Sequence, residues 1–125
     1  MLDVKKLLAK IANQFITTTV SDLTLTKTSG ASTASVQSAA IKGGDMILTL
    51  SFSTTSAISS GSNVWVGSIT QSKYRPKRAT AGVGYNGGCC VVVVVATNGG
   101  IIARATGASL SSGSVPWVYV TFPIS

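Results

Sequence analysis

The sequence predicts an all-β protein: an antiparallel β-sandwich or jelly-roll-like head preceded by one short α-helix. Three observations predict it. Period-two alternation of apolar residues runs through most of the chain after residue 16, and Gly- and Asn-rich turn signals punctuate it at short intervals. Helical periodicity is convincing only in residues 2–15.

In that first segment Val4, Leu8, Ile11 and Phe15 follow one another at spacings of 4, 3 and 4, an a/d seam that Leu7 widens. Lys5, Lys6 and Lys10 fall outside the seam, and Asp3 suits the positive end of the helix dipole. About four turns are marginal for an isolated helix in water. The helix must therefore pack on the β domain or against copies of itself, and the seam favours the bundle. Residues 1–15 are expected to be a helical oligomerisation stalk and residues 16–125 the head.

The period then changes. Thr17, Thr18, Thr19 and Val20 are β-branched, and Leu23, Leu25 and Lys27 alternate with Thr24, Thr26 and Thr28. Residues 30–40 are small and predict a loop or weak strand. Gly43-Gly44-Asp45 predicts a turn into 46–52, where Met46, Leu48, Leu50 and Phe52 share a face. A Ser/Gly-rich loop at 53–63 leads to a strand at 64–69, and 79–85 predicts a weaker one. Asn86-Gly87-Gly88 and Thr97-Asn98-Gly99-Gly100 bracket the strand 89–96 as hairpin turns. A last strand covers 115–122. About seven or eight short strands at this spacing argue for a sandwich.

Segment 89–96 carries the strongest message. Cys89, Val91, Val93 and Val95 lie on one face and Cys90, Val92, Val94 and Ala96 on the other, so neither face suits water. The last strand repeats the pattern, with Trp117 and Tyr119 opposite Val118, Val120 and Phe122. Either a second subunit covers the outer face, through Val92 and Val94, or the strand is central in a thicker monomer. Only 10% of residues are charged and 45% are hydrophobic, with mean hydropathy +0.43. A soluble monomer normally carries about 25% charged residues, so the subunit interface is favoured.

No membrane insertion is expected. The longest apolar run is the eight residues 89–96, against about 20 for a transmembrane helix. The lysines interleaved in the first helix argue against a signal peptide. Cys89 and Cys90, adjacent on a strand, point to opposite faces and cannot pair without severe strain. They read as small buried hydrophobes in a reducing compartment. With no histidine and two cysteines, no ordinary zinc site is expected, and no cofactor is implied.

Catalysis is poorly supported. The absence of histidine excludes Ser-His-Asp and Cys-His arrangements, and the only acids, Asp3, Asp22 and Asp45, are scattered. The net charge of +7 raises nucleic acid or an anionic surface as partner. Yet four of the ten cations cluster at Lys73, Arg75, Lys77 and Arg78 and three lie in the helix, with no second basic stripe, which disfavours nucleic acid. In the segment 73–78, Pro76 holds Arg75 extended and the side chains are expected to splay outward. Tyr74 would stack on a sugar ring or base while Arg75 and Arg78 grip phosphate or carboxylate. The competing reading is a solvated connector that protects a strand edge. Tyr85 is a further exposed-aromatic candidate. Trp65 and Trp117, among valines, are expected in the core rather than in a carbohydrate groove.

The order of elements is similar to that of small phage or prophage tail proteins and tail-fibre tip or receptor-binding head domains. The residues that carry this are the opening helix from Met1 to Leu8, Gly67-Ser68-Ile69 followed by Tyr74-Arg75-Pro76, the Val-rich strand, Asn98-Gly99-Gly100-Ile101-Ile102, and a last strand ending in Phe122. The resemblance implies a homotrimer of β-sandwich heads with the helices as a stub of stalk; the seam alone permits two, three or four helices. It further implies attachment to anionic bacterial surface glycans, other tail proteins as partners, and a place in the virion or, before assembly, in the host cytoplasm. A structural virion or assembly protein without a glycan ligand is the second reading, and a nucleic-acid-binding β domain the third.

Overall fold

A computed structural model describes residues 3–15 and 17–124, the side chains of 12–15 excepted. The elements are α1 (Val4–Phe15), β1 (Thr17–Thr19), β2 (Leu25–Lys27), β3 (Ala31–Lys42), β4 (Asp45–Thr54), β5 (Asn63–Ile69), β6 (Thr80–Asn86), β7 (Cys89–Val95), β8 (Gly100–Thr106) and β9 (Trp117–Pro123). The strands form one antiparallel sheet in the order β1-β3-β4-β9-β6-β7-β8-β5-β2. The class is the all-β one that the alternation predicts.

The sheet folds over where β9 meets β6. β6 pairs with β7 along its whole length but with β9 only at Val83↔Tyr119 and Gly84↔Val118. Gly82 and Gly84 face inward at that crossing. A Cβ on Gly84 would run into the carbonyl oxygen of Trp117, and one on Gly82 would come within 2.5 Å of the Tyr119 carbonyl oxygen. Glycine alone lets the two backbones approach this closely. At the other end the β2–β3 connection ties β5 to β4: Thr28 N donates to Val66 O and Thr55 N to Gly30 O, both at 3.2 Å. The two halves of the curled sheet thereby share one core, which is what a sandwich requires.

That core follows the period-two faces. Met46, Leu48, Leu50 and Phe52 of β4 meet Val91, Val93 and Val95 of β7, Ile101 and Ala103 of β8, and Val118, Val120 and Phe122 of β9; all are buried. Each large side chain so placed contributes about 1.5–3 kcal/mol by leaving water. The hairpin between β6 and β7 closes through Gly87 and Gly88 at φ of 53° and 85°, the left-handed pair that a two-residue turn demands.

Several sequence expectations need correction. Of the loop or weak strand expected at 30–40, the strand forms and is longer than expected: β3 has 12 residues. Its small residues lack β-propensity of their own, but β4 supplies a strongly patterned partner, and hydroxyl pairs add to the ladder (Thr33–Ser53 at 2.8 Å, Ser35–Ser51 at 3.1 Å). Cys89 is buried as expected, but Cys90 is exposed, because the strand's parity turns it outward. Trp65 and Trp117 are not in the core; they are 57% and 50% exposed. Trp117 lies on the outer face of β9. Trp65 is placed outward by a bulge between Trp65 and Gly67, after which Val66 and Gly67 are both buried.

The outer face of β7 has no covering layer among the described residues. Val92 is half-buried by its neighbours and Val94 is 38% exposed. Along α1, Val4, Leu7, Leu8 and Ile11 are all exposed, so the seam is not spent on the β domain. The side chain of Phe15, the fourth seam residue, lies outside the described residues.

Candidate functional site

The basic segment follows β5. A single 3-10 turn (Ser72–Tyr74) leads to Arg75, which is extended at φ −79°, ψ 147°, as its position before Pro76 requires. The expected outward splay is only partly present. Tyr74 is buried, and its hydroxyl donates to Asp22 Oδ1 at 2.5 Å. Lys73 Nζ lies 3.3 Å from Asp22 Oδ2 and 4.9 Å above the Tyr74 ring. Gln71 completes the lock: its Nε2 donates to Asp22 O at 2.6 Å, and its Oε1 accepts from Thr24 N at 3.0 Å. The bond from Tyr74, with help from Lys73, holds the Asp22 carboxyl below the ordinary carboxylate range. The same bond raises the Tyr74 phenol, and Asp22 raises the Lys73 ammonium.

Arg75 is also engaged internally. Its Nε donates to Ile69 O at 3.1 Å and its Nη2 to Thr70 O at 3.3 Å, and its stem packs where a side chain on Gly99 would stand. Lys77 and Arg78 carry exposed side chains and have no acidic partner among the described residues. Tyr85 is the most exposed large aromatic, at 71%, but it sits at the far end of β6 from Arg78. The six sequence candidates therefore fall into three groups. Lys73, Tyr74 and Arg75 brace the fold, Lys77 and Arg78 face solvent together, and Tyr85 stands apart. Asp22, the partner that diverts Lys73 and Tyr74, is 52 residues from Tyr74 in the chain and carries no sequence signal of that role.

The larger surface feature lies across the outer faces of β9, β6, β7, β8 and β5. Register places Tyr119, Val83, Val92, Arg104 and Asn63 in one row. Ala81, Val94, Ile102 and Trp65 form the next. Val83, Tyr119, Ile102 and Trp65 are each more than 40% exposed. Contiguous apolar faces of this kind mark interaction surfaces. At its β5–β8 margin a recess of about 320 Å³ is lined by Trp65, Ala96, Asn98, Gly100 and Ile102. Trp65 Nε1 donates to Gly67 O at 2.7 Å, which fixes the indole, and Asn98 Oδ1 accepts from Gly100 N at 2.9 Å. Trp65 belongs to this surface although its valine neighbours in sequence suggest the core.

No family model matches the chain, and no curated protein matches it. Among solved structures, it is similar to the head domain of phage bIL170, whose crystal structure was described under the question of a common fold for the receptor binding domains of lactococcal phages. The TM-score is 0.53 at 16% identity, covering 82% of this chain and 96% of that one. This chain thus has the same fold as the receptor-binding head domain of a lactococcal phage.

Proposed function

We propose that this protein is a non-catalytic receptor-binding module of a phage-type tail, which assembles as a homotrimer and attaches to bacterial surface glycans. The observation that carries the assembly half of this reading is the uncovered apolar outer face of β9, β6 and β7. Val83, Tyr119 and Val94 are exposed there, next to half-buried Val92. Full burial of such a side chain is worth about 1.5–3 kcal/mol, and covering its exposed part would gain a fraction of that. The α1 seam, with Val4, Leu8 and Ile11 exposed, supports the same conclusion. The number three comes from the resemblance of the sequence to phage tail proteins and tail-fibre tips, since the seam permits other orders.

The binding half rests on fold likeness and charge. The excess of seven positive charges suits anionic wall polymers such as teichoic acids and phosphorylated polysaccharides, and exposed Lys77 and Arg78 contribute to it. The protein is then at work in the virion, with other tail proteins as neighbours. Two measurements test the reading. Light scattering at low micromolar concentration is expected to give about 38 kDa, three times the 12.7 kDa chain. Labelled protein is expected to decorate a bacterial host and to be displaced by extracted wall polymer. A monomer that decorates no cell would overturn it.

A further inference from the structure

The margin of the apolar face differs from its centre. On β5 and β8 the pairs Asn63↔Arg104 and Trp65↔Ile102 set Trp65 and Arg104 as diagonal neighbours on the outer face, about 7–8 Å apart. Arg104 is the only cation in these rows, and its guanidinium lies beside Gly61, in the loop that enters β5. None of the chain's three acids is on this face. Asp3 precedes α1, Asp22 is held by Tyr74, and Asp45 opens β4 opposite Lys42. The guanidinium thus faces solvent with no acidic partner among the described residues. On the other side of Trp65 lies the recess floored by Gly100, where a side chain would meet Asn98 Oδ1 at 3.1 Å and Trp65 Nε1 at 3.7 Å.

We infer that this margin is the saccharide-binding site of the protein, and that its ligand is a sugar bearing a phosphate or other anionic substituent. The inference rests on the receptor-binding reading and assigns the ligand to residues outside the basic segment 73–78, whose Arg75 packs beside the neighbouring Gly99. Three features match three parts of such a ligand. The indole of Trp65, fixed by its bond to Gly67 O and only half covered, offers a flat π face for the C–H face of a pyranose. Arg104 offers a planar fork of donors for the anionic group on the diagonal. Asn98, with its oxygen engaged by Gly100 N, keeps its amide NH₂ for a sugar hydroxyl, and Gly100 leaves room for the ring. A contact with the same face of a second copy, which carries no acid, would leave Arg104 buried without a counter-charge, which is costly. The bulge at Trp65–Gly67 also has a use here, since it turns the indole out of the core.

The test compares the whole protein with Trp65→Ala, Arg104→Gln and Lys77→Gln/Arg78→Gln. The probes are a phosphate-bearing wall polysaccharide and the same polymer after chemical dephosphorylation, titrated by calorimetry. Far-UV circular dichroism and light scattering are recorded for each variant. Trp65→Ala is expected to weaken binding to both polymers at least tenfold with unchanged mass. Arg104→Gln is expected to remove the preference for the phosphorylated polymer while retaining the residual affinity for the other. Should Lys77→Gln/Arg78→Gln abolish binding while the first two variants bind like the parent, the site is wrong and the receptor-binding reading stands. If instead Trp65→Ala changes the mass rather than the affinity, the indole belongs to a subunit contact and the inference is overturned. A parent protein that binds neither polymer nor cells overturns both.

Discussion

Asp22 joins three side chains that sequence reading assigned to ligand binding or left unassigned. It accepts from Tyr74, pairs with Lys73, and its own carbonyl is held by Gln71, so the strand-free stretch before β2 is fastened to the loop after β5. Its depressed pKa means that its contribution to stability is present above the ordinary carboxylate value of 3.8 and is lost as pH falls through the lower folded value. Tyr74 and Lys73 are raised from 10.0 and 10.5, so theirs is present below those values and is lost as pH rises through the folded ones. Unfolding monitored between acid and alkaline pH should therefore show losses at both ends. Asp22→Asn should lower the plateau and flatten both limbs, below about pH 4 and above about pH 10. An unaltered profile in Asp22→Asn would remove the lock. Gly84 makes the second prediction at this scale. A methyl group there meets the Trp117 carbonyl, and overpacking of this kind costs about 1–3 kcal/mol. Denaturant unfolding of Gly84→Ala should show at least that loss, whereas Gly113→Ala, where no atom stands within reach, should be near neutral.

Among the elements, β7 and α1 are the two that the proposed assembly would use. β7 buries Cys89, Val91, Val93 and Val95 and presents Val92 and Val94 outward, so its two faces can be altered independently. Val94→Lys should leave far-UV circular dichroism and the midpoint of unfolding of the isolated chain close to those of the parent. It should also shift the scattering mass toward a single chain. In α1, Asp3 Oδ1 accepts from Lys6 N at 3.2 Å, an N-cap that organises the first turn, but a 12-residue helix is marginal without packing. Leu8→Lys should likewise weaken self-association while leaving the β domain folded; a mass unchanged in both variants would mean that neither surface is an interface. The α1 seam and the two faces of β7 were legible in sequence because each depends on one period. β3 was not, since Ser, Ala and Thr acquire strand geometry only through their pairing with β4.

Over the whole molecule, the proposed function follows from the way one sheet curls. The corner between β9 and β6 and the tie between the β2–β3 connection and β4 turn nine strands into two layers with one core. This leaves a convex outer surface whose centre is apolar and whose β5–β8 margin holds Trp65, Asn98 and Arg104. The proposed division of that surface between self-association and ligand capture makes a joint prediction. Centre substitutions such as Val94→Lys should lower mass and, by loss of multivalent attachment, weaken binding to cells far more than binding to a short soluble glycan. Margin substitutions should weaken both equally at constant mass. Cell-binding and calorimetric assays run side by side read the two patterns apart.

By itself the sequence determined the all-β class, the position of the N-terminal α-helix, the hairpin turns and the core face of β4. These depend on periodicity and on glycines that local backbone geometry demands, and both are local in the chain. Only the tertiary structure decided the strand order, the outward placement of Trp65 and Trp117, and the internal use of Lys73, Tyr74 and Arg75. Those outcomes depend on residues far apart in sequence: Asp22 capturing Tyr74, Trp117 crossing Gly84, Arg104 coming to lie diagonal to Trp65. A side chain's type sets what it can bond, but the sheet's register sets which partner reaches it first.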